Sequence, residues 1–129
     1  MVAPAAREKR EEEFAKLIPV VIPTFSDAMR AAYWTMDNAG RMFAEHVEAK
    51  DSRILQLLSR PENFEDSSVR YQRMEGGAVY SMEVTFNRQR LILTLRVGED
   101  FTEFMLTDRN GKEIEYMAEN KGELFHRRA

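Results

Sequence analysis

The chain has no cysteine among its 129 residues, so neither a disulfide framework nor a thiolate metal site is open to it. Histidine is nearly as scarce. His46 and His126 lie far apart in sequence, and neither has a second histidine at the helical spacing that metal binding uses. His46, beside Glu45 and Glu48, reads as a surface residue. No run approaches the roughly 18 consecutive apolar residues of a membrane helix. Met1 to Lys16 is charged rather than apolar, unlike a secretory signal, and the expected location is cytoplasmic.

Chemical motifs are missing as well. Gly76-Gly77 is too short for a phosphate loop and precedes no helix. No serine sits in a nucleophile-elbow pattern. Glu65 with Asp66, Glu99 with Asp100, and Glu113 with Glu115 read as solvated acids. General acid–base work needs two carboxylates in different environments. The expectation is a non-enzymatic protein without metal or cofactor.

What is present suits one folded domain: 43% hydrophobic and 32% charged residues, with eight Met and eight Phe to fill a core. Residues 1–23 form a charged helix, Ala5 to Ile18, followed by the extended segment Pro19-Val20-Val21-Ile22-Pro23, because proline ends the helix and restrains its neighbours. Residues 24–120 form the α+β domain, and 121–129 a C-terminal tail. Thr24 or Ser26 caps the main helix, with Asp27 in its first turn. Phe25, Met29, Tyr33, Met36, Phe43 and Val47 make an apolar stripe, flanked by the small residues Ala32, Ala39 and Gly40. Ile54, Leu57 and Leu58 extend it to Arg60, before Pro61. Lys50-Asp51-Ser52 marks a break, so the element is either one helix of about 35 residues, roughly 50 Å long, or two with a bend.

From Val69 onward the pattern is five antiparallel strands in a meander, with the helices on one face; a strongly bent version would be a half-barrel. Turns set the register. Glu75-Gly76-Gly77-Ala78 pairs Tyr71 with Met82, and Asn87-Arg88-Gln89-Arg90 pairs Val84 with Leu93. A three-residue link, Gly98-Glu99-Asp100, pairs Val97 with Phe101; Asn110-Gly111 pairs Met105 with Tyr116. Side chains alternate with period two, so one face gathers Tyr80, Met82, Val84, Leu91, Leu93, Leu95, Met105 and Tyr116 as core. The opposite face then carries a second apolar patch of Ile92, Phe104, Leu106 and Met117. Either Val20, Val21 and Ile22 cover it, or it is an interaction surface. A one-residue change at Gly98-Glu99-Asp100 would exchange the two sets.

Charge is uneven. Ser67 to Gly98 carries five arginines against Glu75 and Glu83, while Glu99 to Glu119 carries seven acids against Arg109 and Lys112. The leading expectation is a protein-interaction module that binds a protein partner and forms a homodimer, with Val20, Val21, Ile22, Ile92, Phe104, Leu106 and Met117 as interface candidates. The alternative is nucleic-acid binding by Arg70, Arg88, Arg90 and Arg96, although the aromatic side chains that stack on bases fall mostly on the other face. A third reading is a ligand or catalytic cup between helix and sheet, using Tyr33, Trp34, Tyr71 and Tyr80.

Overall fold

The computed structural model describes residues 25–129. The helix expected at Ala5 to Ile18, and Val20, Val21 and Ile22, lie outside them. Helix α1 spans Phe25–Ala44. Of the expected stripe, Met36 and Phe43 are buried and Met29, Tyr33 and Val47, the last just beyond the helix, are partly so; the flanking Ala32 is buried as well. Ion pairs Arg30–Asp27 and Arg41–Asp37 occupy its wet side.

The chain breaks where Lys50-Asp51-Ser52 implied. A 3-10 turn at Ala49–Asp51 leads into helix α2, Arg53–Leu58. Ser52 caps α2 by accepting the Leu55 amide at 3.1 Å. Gly40 lets the two helices meet, since a Cβ there would lie 2.6 Å from Leu58 Cδ1. Two further 3-10 turns, Pro61–Asn63 and Asp66–Ser68, lead to the sheet. No helix among the described residues is long and apolar enough to cross a membrane.

The sheet is antiparallel, and with the helices it makes an α+β fold. It has six strands rather than five, paired in chain order: β1 Arg70–Met74, β2 Gly77–Phe86, β3 Gln89–Gly98, β4 Phe101–Thr107, β5 Glu113–Asn120 and β6 Glu123–Arg128. The residues expected to form a tail are β6. Lys121 (φ 51°) and Gly122 (φ 85°) make a tight turn that returns the chain onto β5.

The hairpins show how turn chemistry sets register. β1 and β2 join through Glu75-Gly76, with Met74 opposite Gly77, two residues from the expected pairing. β2 and β3 join through Asn87 and Arg88, both at positive φ, again two residues away. A shift of two keeps each side chain on its face. The β3–β4 link is different. Gly98 is followed by a two-residue loop, so Val97 faces Thr102 and Leu95 faces Phe104. That is a one-residue change, and it turns β4 and β5 over. Phe104, Leu106 and Met117 therefore join Tyr80, Met82, Val84, Leu91, Leu93 and Leu95 in one buried core under α1 and α2. At the next turn, Asp108 accepts the Asn110 and Lys112 amides through Oδ1, Gly111 takes φ 85°, and a register irregularity follows at Leu106/Thr107. The Asn-Gly pair thus closes a bulged turn rather than the simple two-residue hairpin, while Met105 still faces Tyr116.

Candidate functional site

The helix-free side of the sheet is built from the alternate residues of each strand. Hydrogen-bonded register aligns Ser81, Thr94, Met105, Tyr116 and Arg127 in one cross-strand row. A neighbouring row holds Val79, Arg96, Glu103, Ala118 and Phe125. Ile92 and Phe101 flank these rows. Val79, Ile92, Phe101, Met105 and Tyr116 are half-buried, and Phe125 is 54% exposed. Both described helices pack on the other side, so among the described residues no helix covers this face.

Of the expected interface residues that are described, Ile92 alone lies on this face. Phe104, Leu106 and Met117 are fully buried in the core. The correction follows from the two-residue Glu99-Asp100 loop, neither of whose residues takes positive φ, so no glycine or asparagine marks it in the sequence. The one-residue alternative at Gly98-Glu99-Asp100 is the register found, and it brings Phe101, Met105 and Tyr116 to this face; Phe125 was missed with its strand. Arg70, Arg90 and Arg96 do share the face, opposite Ser81, Thr85 and Val79, and Arg88 sits in the β2–β3 turn.

Two charge networks stiffen the surface. Glu103 accepts Arg96 at 3.2 Å and the Tyr116 hydroxyl at 2.7 Å. Arg127 donates twice to Glu113 at 2.8 Å, and its guanidinium lies 4.5 Å from the centre of the Tyr116 ring. Arg96 stacks over Phe101 at 5.6 Å. Burial, then the hydrogen bond to Glu103 and that carboxylate's charge, push the Tyr116 phenol up to about 12. The Arg127 hydrogen bonds hold Glu113 below the usual carboxylate range.

Behind the sheet, Glu115 contradicts its reading as a solvated acid. It faces Leu106 across the strands, is 1% exposed, and lies against the start of α2. It accepts Ser52 Oγ at 2.5 Å, the Arg53 amide at 2.6 Å and the Ile54 amide at 3.2 Å, and pairs with His126 Nε2 at 3.0 Å. A carboxylate at a helix start is favoured by the unpaired amides and the helix dipole. The order Ser52–Glu115–His126 places the acid between hydroxyl and imidazole. That arrangement ties β5 and β6 to α2 and does not activate a nucleophile, which requires the histidine to touch the serine.

A cleft of about 550 Å³ opens beside it, lined by Lys50, Arg53, Gln56, Asn87 and Arg128. The residues expected to line a cup between helix and sheet do not share one environment. Tyr80 is buried and stacks on Tyr71 at 6.2 Å, and Tyr33 stacks on Phe64 at 5.5 Å. Burial and a hydrogen bond to Asp66 raise the Tyr33 phenol far above its ordinary value. Trp34 points outward, 51% exposed. Among the described residues no group of three His, Asp or Glu side chains could hold a metal ion.

Neither the family models, the curated proteins nor the solved structures include a match to this chain.

Proposed function

We propose that the protein is an interaction module that binds a protein partner through the outer face of its sheet. The observation that carries this reading is the stripe of Ile92, Phe101, Met105, Tyr116 and Phe125 across β3 to β6, on a face that no described helix covers. Its composition supports the reading: aromatic residues, methionine and arginine are enriched at the centres of protein interfaces. Arg96 and Arg127 are held in place by Glu103 and Glu113, which lowers the entropy lost when a partner docks. The test is affinity capture with three baits: the parent, an Ile92→Lys/Met105→Lys variant and an Arg90→Glu variant. A discrete partner should be retained by the parent and by Arg90→Glu, and lost with the double variant. An identical set of proteins on all three baits would refute the assignment.

A second reading, nucleic-acid binding, gains support from the revised register, because Phe101, Tyr116 and Phe125 share a face with Arg70, Arg90 and Arg96. Glu83, Glu103 and Glu113 interleave with these arginines, and Arg96 is paired with Glu103, which favours the protein partner. Binding to single-stranded nucleic acid that weakened steeply with salt and vanished in Arg90→Glu/Arg96→Glu would select this second reading.

A further inference from the structure

Strand β6 ends the sheet, and one of its edges is unpaired among the described residues. Which of its backbone groups face outward follows from register. The Ala129 amide donates to Ile114 at 2.9 Å, so the pair one step beyond Glu115–Arg128 is hydrogen-bonded. Alternation along an antiparallel ladder then directs the N–H and C=O of Glu123, Phe125 and Arg127 toward β5. Those of Leu124, His126 and Arg128 point away from the sheet. Such a row of free groups is a template for another strand.

The side chains of β6 specify which strand. On the outer face it presents Glu123, Phe125 and Arg127 in that order, with Phe125 54% exposed. An acid and a base placed symmetrically about an aromatic residue form a self-complementary pattern. We infer that β6 pairs antiparallel with β6 of a second copy of this chain, about a two-fold axis at Phe125, so that two sheets become one of twelve strands.

In that register Phe125 meets Phe125 of the second copy at a non-hydrogen-bonded position, where side chains approach most closely. Glu123 stands opposite Arg127 twice, once on each side of the axis. Leu124 and His126 fall at hydrogen-bonded positions, and these are the residues whose backbone groups are free. Parity therefore agrees in three respects: the outer faces continue into one another, the charges alternate, and the ladder can form. Arg127 already holds Glu113, so each junction becomes a Glu113–Arg127–Glu123 network. The inference shares Phe125 and Arg127 with the protein-partner reading but rests on the edge of β6, and Glu123, outside the partner stripe, tests it separately.

The experiment is sedimentation equilibrium on the full chain over a range of concentrations. The parent should form a dimer of twice 15.1 kDa. Glu123→Arg, at an exposed position, sets arginine against arginine at both junctions and should raise the dimer dissociation constant by about tenfold. Arg127→Glu should weaken it likewise. An equimolar mixture of the two variants restores opposite charges at both junctions and should dimerise as the parent does. Amide exchange at Leu124, His126 and Arg128 should slow as parent concentration rises. A monomeric parent, a dimer indifferent to Glu123→Arg, or protection of those amides that is independent of concentration would each overturn the inference; the last would mean that the edge is covered within its own chain. If Arg127→Glu fails to fold, Glu123→Arg and the exchange measurement decide the matter alone.

Discussion

Replacing Glu115 by alanine should be far more costly than its place in a strand rich in acids suggests. The carboxylate is 1% exposed and takes hydrogen bonds from Ser52, the Arg53 and Ile54 amides, and His126. Removal leaves a buried hydroxyl and the Ile54 amide without acceptors, at about 1–2 kcal/mol each. The Arg53 amide borders the cleft and His126 is partly exposed, so water can replace those two bonds. Loss of an anion at the start of α2 adds about 0.5 kcal/mol. The sum is about 3 kcal/mol. With a urea dependence of about 1.5 kcal/mol per molar for a domain of this size, the midpoint should fall by about 2 M at unchanged slope. Glu115→Gln keeps an acceptor for the amides and loses the charge, and should cost about 1 kcal/mol. Glu113→Ala, which breaks only a half-exposed pair with Arg127, should cost under about 1 kcal/mol. Urea denaturation followed by far-ultraviolet circular dichroism measures all three. A loss below about 1 kcal/mol for Glu115→Ala would show that the carboxylate does not hold α2 to the sheet.

Three further predictions follow from packing, backbone and titration. Leu106→Ala should cost about 2–5 kcal/mol, because the side chain is fully buried, whereas Met105→Ala should cost under about 1 kcal/mol; equal losses would contradict the β3–β4 register. Gly77→Ala would place a Cβ 2.0 Å from the Val97 carbonyl oxygen, in backbone that can yield only by moving a strand. It should destabilise by about 2–3 kcal/mol in thermal melts, and a neutral result would place β2 and β3 further apart. Tyr116 is raised from 10.0 to about 12, so its neutral form is the one the fold favours. The stability tied to it is complete below pH 10 and is lost as pH rises through about 12. In an alkaline ultraviolet titration the last ionising phenols should lose one member in Tyr116→Phe, and an unchanged late phase would refute the assignment.

Much of the fold was legible because turn chemistry and alternation are local. Gly76, Asn87 and Gly111 identify three turns, and two-residue errors in pairing are harmless to the assignment of faces. Ser52 announced the break between helices, and its cap is there. What misled was Glu99-Asp100, a turn without positive φ and therefore without a sequence signature. One residue there decides whether Phe104 or Met105 faces the helices. The site inherited that error, and three of the seven expected interface residues proved to be core. Strand β6 was hidden by its charged ends and by Lys121, a non-glycine residue at positive φ. Glu115 could not have been found by alternation alone, since its partners Ser52, Arg53 and Ile54 lie about 60 residues earlier and converge only when α2 lands on β5.

The outer face as a binding surface is tested most directly by comparing Met105→Lys with its neighbour Leu106→Lys, each examined by thermal melting and by capture of the partner. Met105→Lys should melt near the parent and lose the partner, while Leu106→Lys should fail to fold. A Met105→Lys protein that unfolds, or one that folds and keeps its partner, would contradict the account.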